Sequence, residues 1–400
     1  MNDMSEFKST ILENADRCVK CGLCSAQCPT YLISESENES PRGRISLAQA
    51  IASGRMNDEN QVTAHINSCL TCQRCEKICP SGVEFGEIIS KTRHILNEKK
   101  SNRLHNSFIR WIANRTHSDW RKISRIMWGL NKTGFFRFFS QLSPIQEYIT
   151  PPESSQSQSE MGKTIADVSL FSGCTSQLLD ADTIHDAQQL LRLCGFNVSL
   201  PENQVCCGAL PHHKGLLNSA AQCEKMNTEA FTNKSACDQS PILFLATACG
   251  ASLKNYDDSF RARTFNINQF LLQENALDHL QFNDSKARIL IHSPCSEKNA
   301  LNEKGVVERL LSYLPGAEII SLKETTSCCG AAGDYMISHA HAAIKIREPL
   351  LKDILSIKPD VIVTSNYTCG IHTRNGLQEK NLDIPVMHPI RLLLSHIKTN

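Results

Sequence analysis

Nineteen cysteines stand among the 400 residues, and sixteen of them fall into two unlike sets. The first set is two runs of one spacing, Cys18-x2-Cys21-x2-Cys24-x3-Cys28-Pro29 and Cys69-x2-Cys72-x2-Cys75-x3-Cys79-Pro80. Gaps of two residues let three thiolates wrap one face of an iron–sulfur cubane, while the fourth, before proline, turns away to the other cluster of a two-cluster protein. On that logic Cys18, Cys21, Cys24 and Cys79 hold one [4Fe–4S] cluster, and Cys69, Cys72, Cys75 and Cys28 hold a second. Paired Cys-x2-Cys motifs also make zinc ribbons, but a ribbon needs two pairs per metal. Three ligands plus a Cys-Pro, twice over, favour iron–sulfur. Gly22 keeps the first loop compact, and Gln73 stands at the equivalent place in the second, so glycine is not demanded there.

The second set recurs at matched offsets. Cys174, Cys206-Cys207-Gly208 and Cys249-Gly250 form one copy; Cys295, Cys328-Cys329-Gly330 and Cys369-Gly370 form the other. The intervals are 31 and 41 residues in the first copy and 32 and 39 in the second. Such recurrence points to a metal or redox site rather than to packing, with an iron–sulfur cluster, zinc and a dithiol all open. Helix N-termini near these cysteines would favour thiolates. Cys194, Cys223 and Cys237 read as small hydrophobes on helix faces. His292 and the pair His212-His213 read as structural histidines rather than as ligands or proton donors.

These residues must be positioned by two kinds of architecture. Around the first set the pattern is helical, with Pro41 opening a helix that covers 44–51 and another expected over 83–96. Residues 100–150 form a basic connector: nine Lys/Arg from Lys100 to Arg137 face one acid, Asp119, and all three tryptophans lie there. Its apolar residues, among them Phe108, Trp111, Ile123, Ile126 and Leu130, recur at helical spacing, which suits either a bridging helix or one lying on an anionic membrane surface. A Pro/Ser/Gln-rich linker occupies 151–163.

Beyond it, strands alternate with helices. Strands are expected at 168–171, 196–200 and 242–245, with helices over 183–193 and 216–231. The order repeats with strands at 288–291, 317–322 and 361–364 and helices over 306–314 and 340–357. Such alternation implies parallel sheets with right-handed crossovers, and a period near 120 residues implies a duplicated domain. The fold class is therefore a helical ferredoxin-type domain (1–99), the connector, the linker, and two α/β cysteine-rich domains with parallel sheets (164–282 and 283–400). In each copy the outer cysteines fall just past strand ends, the edge at which open α/β sheets bind ligands.

Composition narrows the function. Lys+Arg 42 against Asp+Glu 41 leaves a net charge of +1, which gives no support to a nucleic-acid binder. The N-terminal residues lack the basic and apolar regions of a secretory signal, and no run of about eighteen apolar residues marks a transmembrane span. The chain reads as cytoplasmic, where clustered cysteines are metal or redox groups rather than disulfides. With no Gly-x-Gly-x-x-Gly after a strand and no Walker loop, nothing recognisable binds flavin, nicotinamide or nucleotide. Two one-electron clusters without a hydride carrier describe an electron relay that depends on a partner for organic chemistry.

The two cysteine runs, Ser40-Pro-Arg-Gly-Arg-Ile45 between them, Cys79-Pro-Ser-Gly-Val83, His292-Ser-Pro-Cys295, Cys328-Cys-Gly-Ala-Ala-Gly333 and Thr364-Ser-Asn366 together resemble the glycolate oxidase iron–sulfur subunits over nearly the whole chain. Ala248 and Thr368 stand where that family would have glycine before the last cysteine of each copy. Ala246 and Asn366, where a second cysteine would stand, separate the chain from the heterodisulfide reductase type. The resemblance implies a complex in which flavin, carried by partner subunits only, oxidises glycolate to glyoxylate. Electrons then pass through this chain toward a quinone or other acceptor, and peripheral attachment to the inner face of the cell membrane would suit a quinone. An iron–sulfur subunit of a lactate or glycerol-3-phosphate dehydrogenase, or a thiol/disulfide module, is the alternative.

Overall fold

The computed structural model describes residues 2–56, 59–99, 103–133, 143–149, 166–232, 239–322 and 328–398. The linker at 151–163, Lys100, Arg137, Cys237 and the Phe135-Phe136 and Phe138-Phe139 pairs lie outside these residues.

The N-terminal part is helical. Helices Asn2–Asp16, Pro41–Ala52, Glu59–Asn67 and Phe85–Lys99 bury Ile11, Ile45, Ala48, Ile66, Ile88 and Ile89 in one core. The helix that Pro41 was expected to open does start there: Ser40 caps it, its side chain accepting from Gly43 N, and Pro41 takes the first turn, where no N–H is needed. Gly43 is obligatory there for another reason. A Cβ at this position would stand 1.9 Å from Glu37 O.

The connector forms two helices, Arg103–Ala113 and His117–Lys132. The break has a local cause, since Thr116 and Asp119 make a capping box, and the one acid in the basic stretch is its partner. Both helices lie against the first α/β copy. Cys206 N donates to Ala113 O at 3.2 Å, His117 N donates to Gln204 O at 2.9 Å, and Trp120 is buried with Ile149 and Leu178.

Each α/β copy holds a four-stranded parallel sheet. Strands β1 (Ala166–Phe171), β2 (Phe196–Ser199), β3 (Ile242–Phe244) and β4 (Thr264–Asn266) run in the order β2-β1-β3-β4. Strands β5 (Arg288–Ile291), β6 (Glu318–Ser321), β7 (Val361–Val363) and β8 (Val386–Met387) run in the order β6-β5-β7-β8. Register pairs Leu170 with Leu243 in one and Leu290 with Ile362 in the other. The identical order is the structural form of the repeat seen in the cysteines. The edge strands β4 and β8 are additions to the sequence reading, too short to give a pattern of their own.

The copies are not separate globules. Val168, Leu170, Leu190 and Leu243 of the first share one core with Ile289, Ile291, Leu310 and Val363 of the second. The last helix, Pro389–Ser395, crosses back to the first copy, where Arg391 pairs with Asp182 and Asp186 of helix Ala181–Leu193. At the strand ends, Thr247 N donates to Ser365 O at 2.9 Å and joins the edges that carry the cysteines.

Candidate metal centres

The two ferredoxin runs curl in the same way. Lys20 and Gly22 in the first, and Thr71 and Gln73 at the equivalent places in the second, all take positive φ. Gln73 thus adopts what glycine adopts freely, at a cost of about 1 kcal/mol. The curls turn the sulfurs inward around two adjacent cavities. One is lined by Cys18, Cys21, Cys24 and Cys79; the other by Cys28, Cys69, Cys72 and Cys75. Cys75, Pro41 and Phe85 line both, so one wall separates them. The fourth cysteine of each run therefore lies with the opposite run's triplet.

Side chains that sequence reasoning passed over hold this arrangement. Arg44 is fully buried. It donates from Nη1 to Thr30 Oγ1 at 2.9 Å and toward Cys28 Sγ at 3.9 Å, from Nε to His65 O at 2.8 Å, and from Nη2 to Ser68 Oγ at 2.8 Å. Its charge is met by Glu39, whose other carboxylate oxygen lies 2.6 Å from His65 Nδ1. Arg44 thus ties the Cys28 turn to the segment that leads into Cys69. Arg93, also buried, donates from Nη2 to Cys69 O at 2.8 Å and to Ile66 O at 2.9 Å, and from Nη1 to His213 O of the first α/β copy. The Ser40-Pro-Arg-Gly-Arg segment was visible in the sequence, but its role depends on partners 20 to 30 residues away.

The donor chemistry suits a cluster. Burial pushes the Cys75 thiol well up, and Cys72 and Cys69 beside it push the same way. Thiolates crowded like this persist only where a cationic centre neutralises them. Among the described residues no group of three or more His, Cys, Asp or Glu converges on a point suited to a single ion; these sulfurs ring cavities instead.

The cysteines of the α/β copies gather as two quartets. In the first, the thiols form a chain from Cys174 to Cys206, Cys207 and Cys249. Cys207 accepts from Cys206 and Cys249 and is held well below the ordinary thiol value, while its donors are pushed above it. Neighbouring thiols and burial thus outweigh the helix N-termini invoked from sequence. Asn227 Nδ2 donates to Cys206 O at 2.9 Å and Tyr256 OH to Cys207 O at 3.2 Å, fixing the vicinal pair. Gly208 and Gly330 both take positive φ, and a Cβ at Gly330 would meet Ala343 O at 2.4 Å. In the second quartet Cys329 Sγ and Cys369 Sγ are 2.8 Å apart, and burial pushes Cys328 up to about 12.

Tyr367 of the second copy reaches across to the first. Its hydroxyl is 2.5 Å from Thr175 Oγ1, and burial and then Cys174 and Cys249 hold its pKa well above the usual value. The second quartet lies under the ferredoxin region, where Leu70 and Cys72 share a cluster with Cys328, Cys329 and Cys369. Cys194 is buried in the shared core. Cys223 is fully buried and touches Cys206, so it is nearer the first quartet than its reading as a simple hydrophobe implied. His292 Nδ1 lies 3.1 Å from Thr364 Oγ1, and burial lowers His213 to about 3.

Comparison with known proteins matches this geometry. The 4Fe-4S dicluster domain family matches residues 14–83, and the cysteine-rich domain family matches twice, at 168–254 and 289–374. The chain is similar to the probable glycolate oxidase iron-sulfur subunit of Bacillus subtilis (28% identity over 98% of this chain and 97% of that one). It is also similar to the glycolate oxidase iron-sulfur subunit of Escherichia coli (28% identity over 89% and 88%). Lactate utilization protein A of Geobacillus thermodenitrificans is 25% identical over 57% of this chain and 98% of its own.

Proposed function

We propose, on the premise that this chain belongs with the 4Fe–4S dicluster proteins carrying a duplicated cysteine-rich domain, that it is the electron-relay subunit of a glycolate dehydrogenase complex. Glycolate is oxidised to glyoxylate on a partner flavoprotein, and electrons leave through this chain toward a quinone or other acceptor. The observation that carries the reading is the pair of four-cysteine sets ringing adjacent cavities, one near the surface and one against the second quartet. Similarity to glycolate oxidase iron-sulfur subunits along nearly the whole chain supports the substrate.

Cys18, Cys21, Cys24 and Cys79 would hold one [4Fe–4S] cluster, and Cys69, Cys72, Cys75 and Cys28 the other. Such clusters supply one-electron exchange, which splits the two-electron oxidation of a hydroxy acid into single steps. The chain's own residues supply place and shelter. Phe85 and Pro41 wall the two sites from each other. Arg42 donates to Lys20 O at 3.2 Å and pairs with Glu37 at 2.6 Å, which clamps the outer loop. Around that loop Cys21 is exposed, and Val19 and Leu23 are 71% and 54% exposed, an apolar rim suited to the flavoprotein.

Anaerobic pull-down of this chain from its native cells, with flavin and iron determination, tests the reading. It should yield about eight irons per chain if the quartets are iron-free, and more if they are not. Glycolate should reduce the flavin and then bleach the iron–sulfur absorbance. Bleaching by lactate or glycerol-3-phosphate but not by glycolate would reassign the substrate; stoichiometric zinc without reducible iron would end the relay reading.

A further inference from the structure

Between the second ferredoxin set and the second quartet lies a cation, Arg74, at the start of the short helix Arg74–Lys77 and next to Cys75. It lines the cavity ringed by Cys28, Cys69, Cys72 and Cys75. Cys328, Cys295 and Cys329 also act on it electrostatically, so one guanidinium lies within charge reach of sulfurs of both sites. Its Nη2 is buried and has no hydrogen-bond partner among the described residues. A buried guanidinium N–H without an acceptor is costly, and it is placed where anionic sulfur would relieve the cost.

The approach of the two sites is built rather than incidental. Cys72 is influenced by Cys295 and Cys328 of the second copy. Asn299 Nδ2 donates to Cys72 O at 2.8 Å, and Lys77 Nζ donates to Lys298 O, so the segment after Cys295 is pinned to the Cys72 loop. Lys298 is the other cation here, but burial lowers its pKa and its Nζ is not on the cavity lining.

We infer that Arg74 is a positioning residue that couples the second ferredoxin site to the second cysteine quartet, holding negative charge on both and making them one electrostatic unit. Among the described residues neighbouring thiols rather than a cation dominate the first quartet, and it meets the second copy through Tyr367 and through Thr247, whose hydroxyl lies 2.8 Å from Ser296 Oγ next to Cys295. The two quartets are therefore inequivalent: the second packs against the Cys72 loop, while the first copy meets the ferredoxin domain away from that loop, at Arg93 and His94.

This inference rests on the two-cluster reading, and the test keeps the two separable. Full-length, anaerobically prepared protein is compared with Arg74→Gln and Arg74→Lys by iron content and by EPR-monitored redox titration. A cluster held by four thiolates gains one negative charge on reduction, so losing a nearby cation makes reduction harder. Arg74→Gln should keep its iron and lower one of the two ferredoxin midpoints by about 59 mV, a tenfold change for a one-electron couple, while the other stays put. Arg74→Lys, which keeps the charge, should restore it. Midpoints that do not move, or that move together, overturn the inference while leaving the clusters in place. Should Arg74→Gln shed one cluster's iron, retention in Arg74→Lys supports the charge role, and loss in both variants assigns Arg74 to packing alone. Wild-type protein without reducible iron refutes the relay reading instead.

Discussion

Arg44→Met is the sharpest test of how the ferredoxin loops are held. The side chain is fully buried, and Met fills similar volume without the donors. What is lost is the charge opposite Glu39 and the bonds to Thr30, His65 and Ser68. Breaking a buried ion pair by removing one partner costs about 3–5 kcal/mol, much of it from the carboxylate left behind. His65 and Ser68 still contact Glu39, which puts the expected cost at the lower end of that range. The loss is local, at the junction of the Cys28 turn and the Cys69 loop. At about 1.4 kcal/mol per tenfold, 3 kcal/mol makes local opening roughly a hundredfold more frequent. The assay is anaerobic iron release to a chelator. About half of the ferredoxin iron, that of the second site, should leave some hundredfold faster in Arg44→Met, while the site ringed by Cys18, Cys21, Cys24 and Cys79 keeps the wild-type rate. Arg44→Lys should fall between. Equal release from both sites, or release of all iron at the wild-type rate, refutes the reasoning.

Other outcomes follow from the same contacts. Cys72→Ala should damage one cluster and abolish electron transfer while substrate still reduces the partner's flavin; flavin reduction lost in an intact complex would move the substrate site onto this chain. Gly43→Ala should cost iron as well as stability, because its Cβ would collide with Glu37 O, and an iron-replete variant with unchanged Tm would contradict the close approach. His117 is buried against Ser172, and burial, with Arg121 adding to it, lowers its pKa to about 4. The unfolded chain takes up this proton first, so stability is lost as pH falls from about 6.5 toward 4, at about 1.4 kcal/mol per unit. His117→Gln should therefore lose less stability than wild type between pH 7 and pH 5, and parallel decline would show that His117 is not the group responsible. Phe108, Trp111 and Ile126 of the connector are exposed beside its basic residues, so with partners present the protein should co-sediment with anionic membranes at low salt and detach as salt rises. Protein that stays in the supernatant at low salt would leave the connector as a bridging element.

The legible part of this molecule was whatever a spacing can encode. Cys-x2-Cys-x2-Cys-x3-Cys names four sulfurs on one curled loop, and the matched Cys-Cys-Gly intervals announced two copies before any strand was assigned. The central strands showed themselves as short apolar runs because both faces are buried. Edge strands such as Val386–Met387 are too brief for any period. The supporting shell was hidden for a different reason. Arg93 and Tyr367 act on groups tens to hundreds of residues away with nothing in their own surroundings to mark them, and Arg44 and Arg74, though they sit inside legible motifs, owe their roles to distant partners. The connector was half legible: its helical spacing was plain, but Trp120 turned inward while Trp111 stayed at the surface, and only packing decides between them.

The core common to the two sheets changes what the duplication can be used for. The final helix is anchored on the first copy, and Phe282 bridges to Ile397 beside the junction of the copies. A fragment ending near residue 282 would expose the face that Ile289, Leu310 and Val363 now cover, and it would lose its last helical neighbour as well. Neither half is then a spare. Proteolysis within the junction should yield insoluble pieces rather than two tame domains, and halves exchanged with a relative should fold only when both come from the same parent.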